Sequence, residues 1–171
     1  MAGGEVGHHR LRVDLLGPLR ARFGSAELPL GPARQRAVFA TLAARAGEVV
    51  SRREVIAAVW GEAAPASADG SVYTYVSGLR RCLAAAGEPL EKVSGGYRLL
   101  LEPGALDLAE FDRLQGDAAR AAAAGEHRAA AEACTAALGL WRGEAFSGVP
   151  GPLAEQDRER LREVWVGVHE R

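Results

Sequence analysis

The sequence has little of what marks secreted, membrane or disulfide-linked proteins. Its 171 residues include only two cysteines, and no apolar run approaches the roughly 20 residues that a membrane-spanning helix needs. The first ten residues, MAGGEVGHHR, lack the apolar segment of a secretory signal, and we expect residues 1–9 to form a disordered lead-in. Two distant thiols in such a chain favour a reducing compartment, so the expected location is the cytoplasm.

The sequence also lacks the signatures of common enzymes. It has no glycine-rich phosphate loop followed by Lys and Ser or Thr, no metal-ligand spacing and no context for a Ser, His, acid triad. His8 and His9 are adjacent but have no further ligands nearby, so solvated side chains are favoured over a metal site. We therefore expect neither enzymatic activity nor a cofactor.

Charge divides the chain into two parts. The formal net charge is -1, but residues 10–102 carry 13 basic residues and nine acids, whereas residues 103–171 carry eight arginines and twelve acids. A positive part followed by a negative one indicates two modules with different partners. Of the 21 basic residues, 20 are arginine, whose planar fork suits phosphate and guanine, although genome composition explains such a bias equally well.

Residues 10–102 contain short β-type segments at both ends and helical patterns between them. Three strands of a small antiparallel sheet are predicted, over residues 11–16, 19–23 and 27–30. Three helices follow, over residues 32–47, 51–61 and 67–86. Ser51 and Glu54 form a capping box at the start of the second helix. Residues 90–93 and 97–101 flank a glycine turn and predict a hairpin.

The third predicted helix has two different faces. Its apolar stripe recurs at helical spacing and consists of Val72, Val76, Leu79 and Leu83. The opposite side is polar and carries Thr74, Ser77, Gly78 and Arg81, with Arg80 beside them. Small hydrogen-bonding groups followed by guanidinium forks suit a helix that enters a DNA groove, and an ordinary amphipathic surface helix is the alternative. The roles of Tyr73 and Tyr75 stay open.

Residues 103–171 are helical and acidic. Helices are predicted over residues 108–124, 126–141 and 153–171. Helix pairs of this length resemble tetratricopeptide units of about 34 residues, and one and a half such units cannot bury a continuous core alone. Either the native chain continues beyond Arg171, or these helices dock on the first module or on another chain.

Four sequence runs, in this order, carry a family resemblance. They are VVSRREVIAAVWG (49–61), SVYTYVSGLRRCL (71–83), SGGYRL (94–99) and ALGLWRGEAFSGVPG (137–151). Together they make the chain similar to the Streptomyces antibiotic regulatory protein family, including AfsR-like regulators, over nearly everything after residue 10. The resemblance implies an α+β winged helix-turn-helix of OmpR type over residues 10–102, with an N-terminal three-stranded sheet, three helices and a C-terminal β-hairpin wing. It also implies the start of an all-α, tetratricopeptide-like bacterial transcriptional activation domain over residues 103–171, truncated at its end.

The family resemblance also implies a function and its partners. It implies a transcription activator of secondary-metabolite (antibiotic) gene clusters, associated with the nucleoid. The expected partners are double-stranded promoter DNA with direct repeats, a second copy of the chain, and the RNA polymerase holoenzyme including its sigma factor, with no membrane. Two alternatives stay open: the helical half is a protein-interaction module that the first half supports, or the chain is the N-terminal part of a larger AfsR-like ATPase regulator.

Seven side chains are predicted to contact DNA, which are Arg52, Thr74, Ser77, Arg80, Arg81, Lys92 and Arg98. Thr74, Ser77 and Arg81 share the outward side of the third predicted helix, which the resemblance makes the recognition helix, so they are the candidates for base edges or phosphates. Arg80 and Lys92 are expected to hold phosphates.

The second helix and the wing supply the other predicted contacts. Arg52 lies near the positive N-terminus of its helix, where it can bind a phosphate. The wing turn is short and carries no arginine, so Lys92 and Arg98 on its strands are expected to supply its basic contacts. Family members usually carry Arg where this chain has Gly78, on the groove-facing side, which implies a different base preference or affinity here.

Overall fold

The computed structural model describes residues 10–170. The predicted lead-in, residues 1–9, and its pair His8 and His9 lie outside the described residues, as does Arg171. Among the helices of residues 10–170, none is long and apolar enough to cross a lipid bilayer.

An antiparallel three-stranded sheet opens the described chain, as the sequence predicts. It consists of β1 (Leu11–Asp14), β2 (Arg20–Phe23) and β3 (Ala26–Leu28). β2 lies in the middle, where Val13 of β1 is opposite Ala21 and both are fully buried. The neighbouring pair, Arg12 and Arg22, points to the other face, because successive side chains of a strand alternate. One face of the sheet therefore covers the core.

Three helices follow and pack against each other. They are α1 (Ala33–Ala44), α2 (Arg52–Trp60) and α3 (Ala68–Cys82). The predicted capping box is present: the Ser51 hydroxyl accepts the backbone N–H of Glu54 at 3.1 Å, and the Glu54 carboxylate accepts that of Ser51 at 2.8 Å. The apolar stripe of α3 is buried as predicted, at Val72, Val76, Leu79 and Leu83. α1 and α2 therefore hold α3 by one side and leave its other side outward.

A β-hairpin forms the wing. β4 (Leu90–Val93) pairs antiparallel with β5 (Gly96–Leu99). Gly95 in the turn has a φ of 91°, in the left-handed region that glycine adopts at no steric cost. Val50, two residues before α2, exchanges two backbone hydrogen bonds with Tyr97, of 2.8 and 2.9 Å. The start of α2 and the wing are therefore joined, and the predicted winged helix-turn-helix is confirmed.

Three longer helices follow the wing. They are α4 (Asp107–Ala123), α5 (His127–Gly139) and α6 (Pro152–His169). α4 and α5 form an adjacent helix pair, whereas α6 packs on α1 and α2 as well as on α5. At the start of α6, Gly151 lies so close to α2 that a Cβ atom there would be 2.7 Å from the Val59 carbonyl oxygen. The helical part is therefore docked on the winged helix, as one of the two alternatives anticipates.

A buried carboxylate joins the helical part to the N-terminal sheet. The backbone N–H groups of Leu15 and Leu16, just after β1, donate to the two oxygens of Asp107 at 2.7 and 2.9 Å. The carbonyl oxygens of the same two residues accept the backbone N–H groups of Phe146 and Arg142, both at 2.8 Å. All four backbone groups of this turn are thus paired with the helical part, and one continuous hydrophobic core spans both.

Candidate nucleic-acid interface

The outward side of α3 carries four of the seven predicted DNA-binding residues. Thr74, Arg80 and Arg81 are exposed, and Ser77 is half-buried. The Thr74 hydroxyl donates to the Gly70 carbonyl oxygen at 3.1 Å, which orients it while its oxygen can still accept a hydrogen bond. Within residues 10–170 neither Arg80 nor Arg81 is paired with an acid. Both guanidinium groups are therefore available to a phosphate or a guanine.

Gly78 is half-buried and lies at the border of this open side, where α3 meets α1. A Cβ atom at Gly78 would overlap the side-chain carboxamide of Gln35 on α1. Gln35 is buried at 8% exposure, and its Nε2 donates to the Leu30 carbonyl oxygen at 3.0 Å. Position 78 is one helical turn from Thr74, and its contact with Gln35 places it between the outward side and the flank of α3 that faces α1. The absence of a side chain there brings α3 close to Gln35.

The structure places Tyr73 and Tyr75, whose roles the sequence leaves undecided, in different surroundings. Tyr75 is half-buried and stacks on Trp60 of α2, with 6.4 Å between ring centroids and 23° between ring planes. Tyr73 is 58% exposed, and the Nζ of Lys92 on the wing lies 5.9 Å from its ring centroid. Sequence reasoning missed this contact, although position 73 lies on the same flank as Ser77, one helical turn away.

The two basic residues of the wing lie on opposite faces of the hairpin. Lys92 is directly opposite Tyr97, and residues opposite each other in an antiparallel pair project to the same face. Glu91 and Arg98 form the adjacent pair and project to the other face, where the carboxylate accepts two bonds from the guanidinium, of 2.8 and 3.1 Å. Lys92 is therefore brought to α3, whereas Arg98 is turned away from it and neutralised.

A small cavity lies where the wing meets the start of α2. Its volume is about 240 Å³, and Arg52, Lys92, Gly96 and Tyr97 are among its lining residues. The Tyr97 hydroxyl is buried beside Arg52, close enough to interact with its guanidinium, but it makes no hydrogen bond of good geometry among the described residues. The pKa of the exposed Arg52 guanidinium is raised, first by its interaction with this hydroxyl. The cations Arg52 and Lys92 beside a helix N-terminus suit a phosphate oxygen.

The comparisons with known families divide the chain in the same way as its charge. The family model described as "Transcriptional regulatory protein, C terminal" matches residues 26–99, which include α1 to α3 and the wing. The model described as "Bacterial transcriptional activator domain" matches residues 106–171, which include α4 to α6.

Several regulators are similar to this chain over most of its length. The regulatory protein AfsR of Streptomyces griseus is 42% identical over 90% of this chain, which spans 16% of that protein. The regulatory protein DnrI of Streptomyces peucetius is 32% identical over 94% of the chain, which spans 62% of it. The solved structure of Mycobacterium tuberculosis EmbR, in complex with a low affinity phosphopeptide, superposes with a TM-score of 0.86 at 34% identity. That superposition covers 94% of this chain and 44% of EmbR. With its winged helix, activator-domain helices and these relatives, the chain belongs to the Streptomyces antibiotic regulatory protein family of transcriptional regulators.

Proposed function

We propose that this protein activates transcription by binding double-stranded promoter DNA through α3 and the wing. The observation that supports this most is the set of unneutralised cations on one side of the winged helix. Arg80 and Arg81 on α3 and Lys92 on the wing have no acidic partner within residues 10–170. Such a set of exposed cations can make several charge-assisted contacts to an anion, and the phosphates of DNA supply one.

In this proposal α3 enters the major groove, which is wide enough for a helix. Arg81, Thr74 and Ser77 then read base edges, while Arg80 binds a phosphate. The wing follows the neighbouring DNA backbone, with Lys92 and Arg52 beside the cavity that Tyr97 also lines. Arg98 takes part only if DNA displaces Glu91 from it. In this arrangement the contacts to DNA phosphates position the protein, and only a few side chains contact base edges.

Few base-reading groups per copy imply that two copies bind together. A single α3 offers three candidate base contacts, whereas specific recognition of a promoter needs more. Two copies on direct repeats would present the same face when the repeats are about 10–11 base pairs apart, one helical turn of DNA. We propose that the chain acts as a homodimer on such repeats, at the promoters of secondary-metabolite gene clusters in the nucleoid.

The helical part is proposed to engage the RNA polymerase holoenzyme, including its sigma factor. It carries eight arginines and twelve acids, so its charge differs in sign from that of the winged helix and DNA would repel it. Its docking through Asp107 and Gly151 gives it a defined orientation relative to α3. A polymerase subunit that binds this part would therefore be held at a set distance from the repeats.

Selection from a pool of random-sequence duplexes, followed by gel-shift titration at several salt concentrations, tests the DNA-binding part. We expect enrichment of a repeated motif, with affinity that falls steeply as salt rises. The alternative, in which the helical half is a protein-interaction module and the first half only supports it, predicts no enrichment and no salt-dependent binding. A pull-down of polymerase holoenzyme with the protein bound to the selected duplex then tests the second partner.

Replacing Arg81 with alanine is expected to weaken binding to the selected duplex by about 1–3 kcal/mol and to relax its sequence preference. The guanidinium is exposed and unpaired on the outward side of α3, so its removal should leave the fold intact. The matched control is Arg128→Ala on α5, which removes the same charge from a side chain that is 94% exposed and far along the chain from α3. If Arg81→Ala and Arg128→Ala bind the selected duplex with equal affinity, Arg81 does not contact the DNA.

A further inference from the structure

Tyr73 is exposed in a way that the core does not explain. At 58% exposure it is the most exposed large hydrophobic side chain of residues 10–170. Its neighbours on α3, Val72 and Val76, are buried, so the helix is already anchored without it. A large ring left in water on a side of the helix that carries unpaired cations indicates a contact with something absent from the isolated chain.

The partner of Tyr73 within the chain is Lys92, on a different element. The Nζ of Lys92 lies 5.9 Å from the centroid of the Tyr73 ring, within the range of a cation–π contact. Lys92 is itself exposed, and it lies on the hairpin face that it shares with Tyr97. The contact therefore bridges the recognition helix and the wing.

The two cations of the hairpin have different kinds of partner: an aromatic ring for Lys92 and a carboxylate for Arg98. Glu91 holds Arg98 through two hydrogen bonds to one carboxylate oxygen, and thereby neutralises it. A tyrosine ring attracts the ammonium of Lys92 through its π face but carries no charge of its own. Lys92 is thus held in place while its full positive charge stays available to an anion.

We propose that Tyr73 is a positioning residue for DNA binding, which holds Lys92 of the wing ready for a backbone phosphate. The recognition helix and the wing then bind the duplex as one unit. This inference rests on the proposed function, since it assigns a further residue to the same interface.

A double-mutant cycle tests the pairing. Affinity for the selected duplex is measured for the unmodified chain, Tyr73→Ala, Lys92→Ala and the double variant, each across a salt series. Lys92→Ala is expected to lower the slope of log affinity against log salt by about 0.9, the value of one phosphate contact. Tyr73→Ala is expected to weaken binding about two- to fivefold and to lower the slope by part of that amount. In the Lys92→Ala background, Tyr73→Ala should have a clearly smaller effect.

Two further variants separate positioning from general packing. Tyr73→Phe keeps the ring and should preserve both the affinity and the salt slope. Leu100→Ala removes an exposed apolar side chain of similar exposure, 44%, from just beyond β5 and should change neither. The inference is overturned if Tyr73→Ala has the same effect in both backgrounds, or leaves the salt slope unchanged. If the unmodified chain binds no duplex, the proposed function fails instead, and the two failures are distinguishable.

Discussion

Replacing Asp107 with alanine is expected to lower the free energy of unfolding by about 2–5 kcal/mol, because two buried backbone N–H groups lose their acceptor. The carboxylate is 8% exposed and accepts the N–H groups of Leu15 and Leu16 at 2.7 and 2.9 Å. The one carboxylate satisfies both buried N–H groups, and the alanine side chain offers no acceptor to either. Urea denaturation followed by circular dichroism measures the effect.

A control for this variant lies one helical turn further along α4. Glu110 pairs with Arg113 on the surface, and such pairs contribute little, so Glu110→Ala should cost less than about 1 kcal/mol. If Asp107→Ala and Glu110→Ala lower the stability equally, the buried carboxylate does not join the two parts as described. A transition that splits into two steps in Asp107→Ala would also be informative, because it would show that the winged helix and the helices have lost their shared core.

The pH dependence of Asp107→Ala has a definite sign. Burial raises the pKa of Asp107 above its ordinary value of 3.8, although the backbone N–H groups of Leu15 and Leu16 oppose the shift. Between 3.8 and the raised pKa, the folded chain binds more protons at this group than the unfolded chain does. The stability contributed by this group therefore falls as pH rises through that window. The unmodified chain should therefore exceed Asp107→Ala in free energy of unfolding by less and less as pH rises through this window. An excess that grows instead would contradict the burial of this carboxyl group.

Replacing Gly96 with alanine is expected to destabilise the protein by about 3 kcal/mol and to reduce DNA binding more than tenfold. A Cβ atom at Gly96 would overlap the backbone of Val50 and Ser51, which cannot move aside as a flexible side chain can. The wing would have to leave the start of α2, and the Val50–Tyr97 hydrogen bonds would break. Lys92 and Arg52 would then no longer border one cavity.

The adjacent glycine provides the matched control. Gly95 has a φ of 91°, but nothing lies within 4 Å of a Cβ atom built on it. Gly95→Ala should therefore cost only the backbone strain of a left-handed residue, about 1–2 kcal/mol, and should retain DNA binding. Urea denaturation and gel shifts on both variants decide the matter. Comparable losses of binding would mean that the turn itself, and not its approach to α2, is what DNA binding requires.

Local patterns in the sequence were sufficient for most of the winged helix. The capping box of Ser51 and Glu54 and the stripe Val72, Val76, Leu79 and Leu83 both lie where they were predicted. These signals depend on residues only three or four positions apart, so the chain itself sets their geometry. The order of strands, helices and hairpin follows from the same kind of signal.

Side-chain placement around α3 was harder to predict, because it depends on neighbours distant in sequence. The sequence predicts that Gly78 lies on the open side, but it does not show that Gln35 of α1 lies against this position. The sequence predicts basic contacts from both Arg98 and Lys92, but the hairpin register turns the two to opposite faces and pairs Arg98 with Glu91. A helical pattern identifies the buried side of a helix but does not say which element covers each flank. The DNA contacts of all seven predicted residues stay predictions.

The sequence by itself determined the secondary-structure elements, their order, the separation of charge and the family. Each of these depends only on the spacing of nearby residues or on composition. Only the tertiary structure decided that Tyr73 meets Lys92, and that Asp107 receives two N–H groups from residues 91 and 92 positions away. Both contacts arise when separate elements pack on one shared core. A buried carboxylate or an exposed ring gains its role from the groups that packing brings to it, and no local pattern encodes those groups.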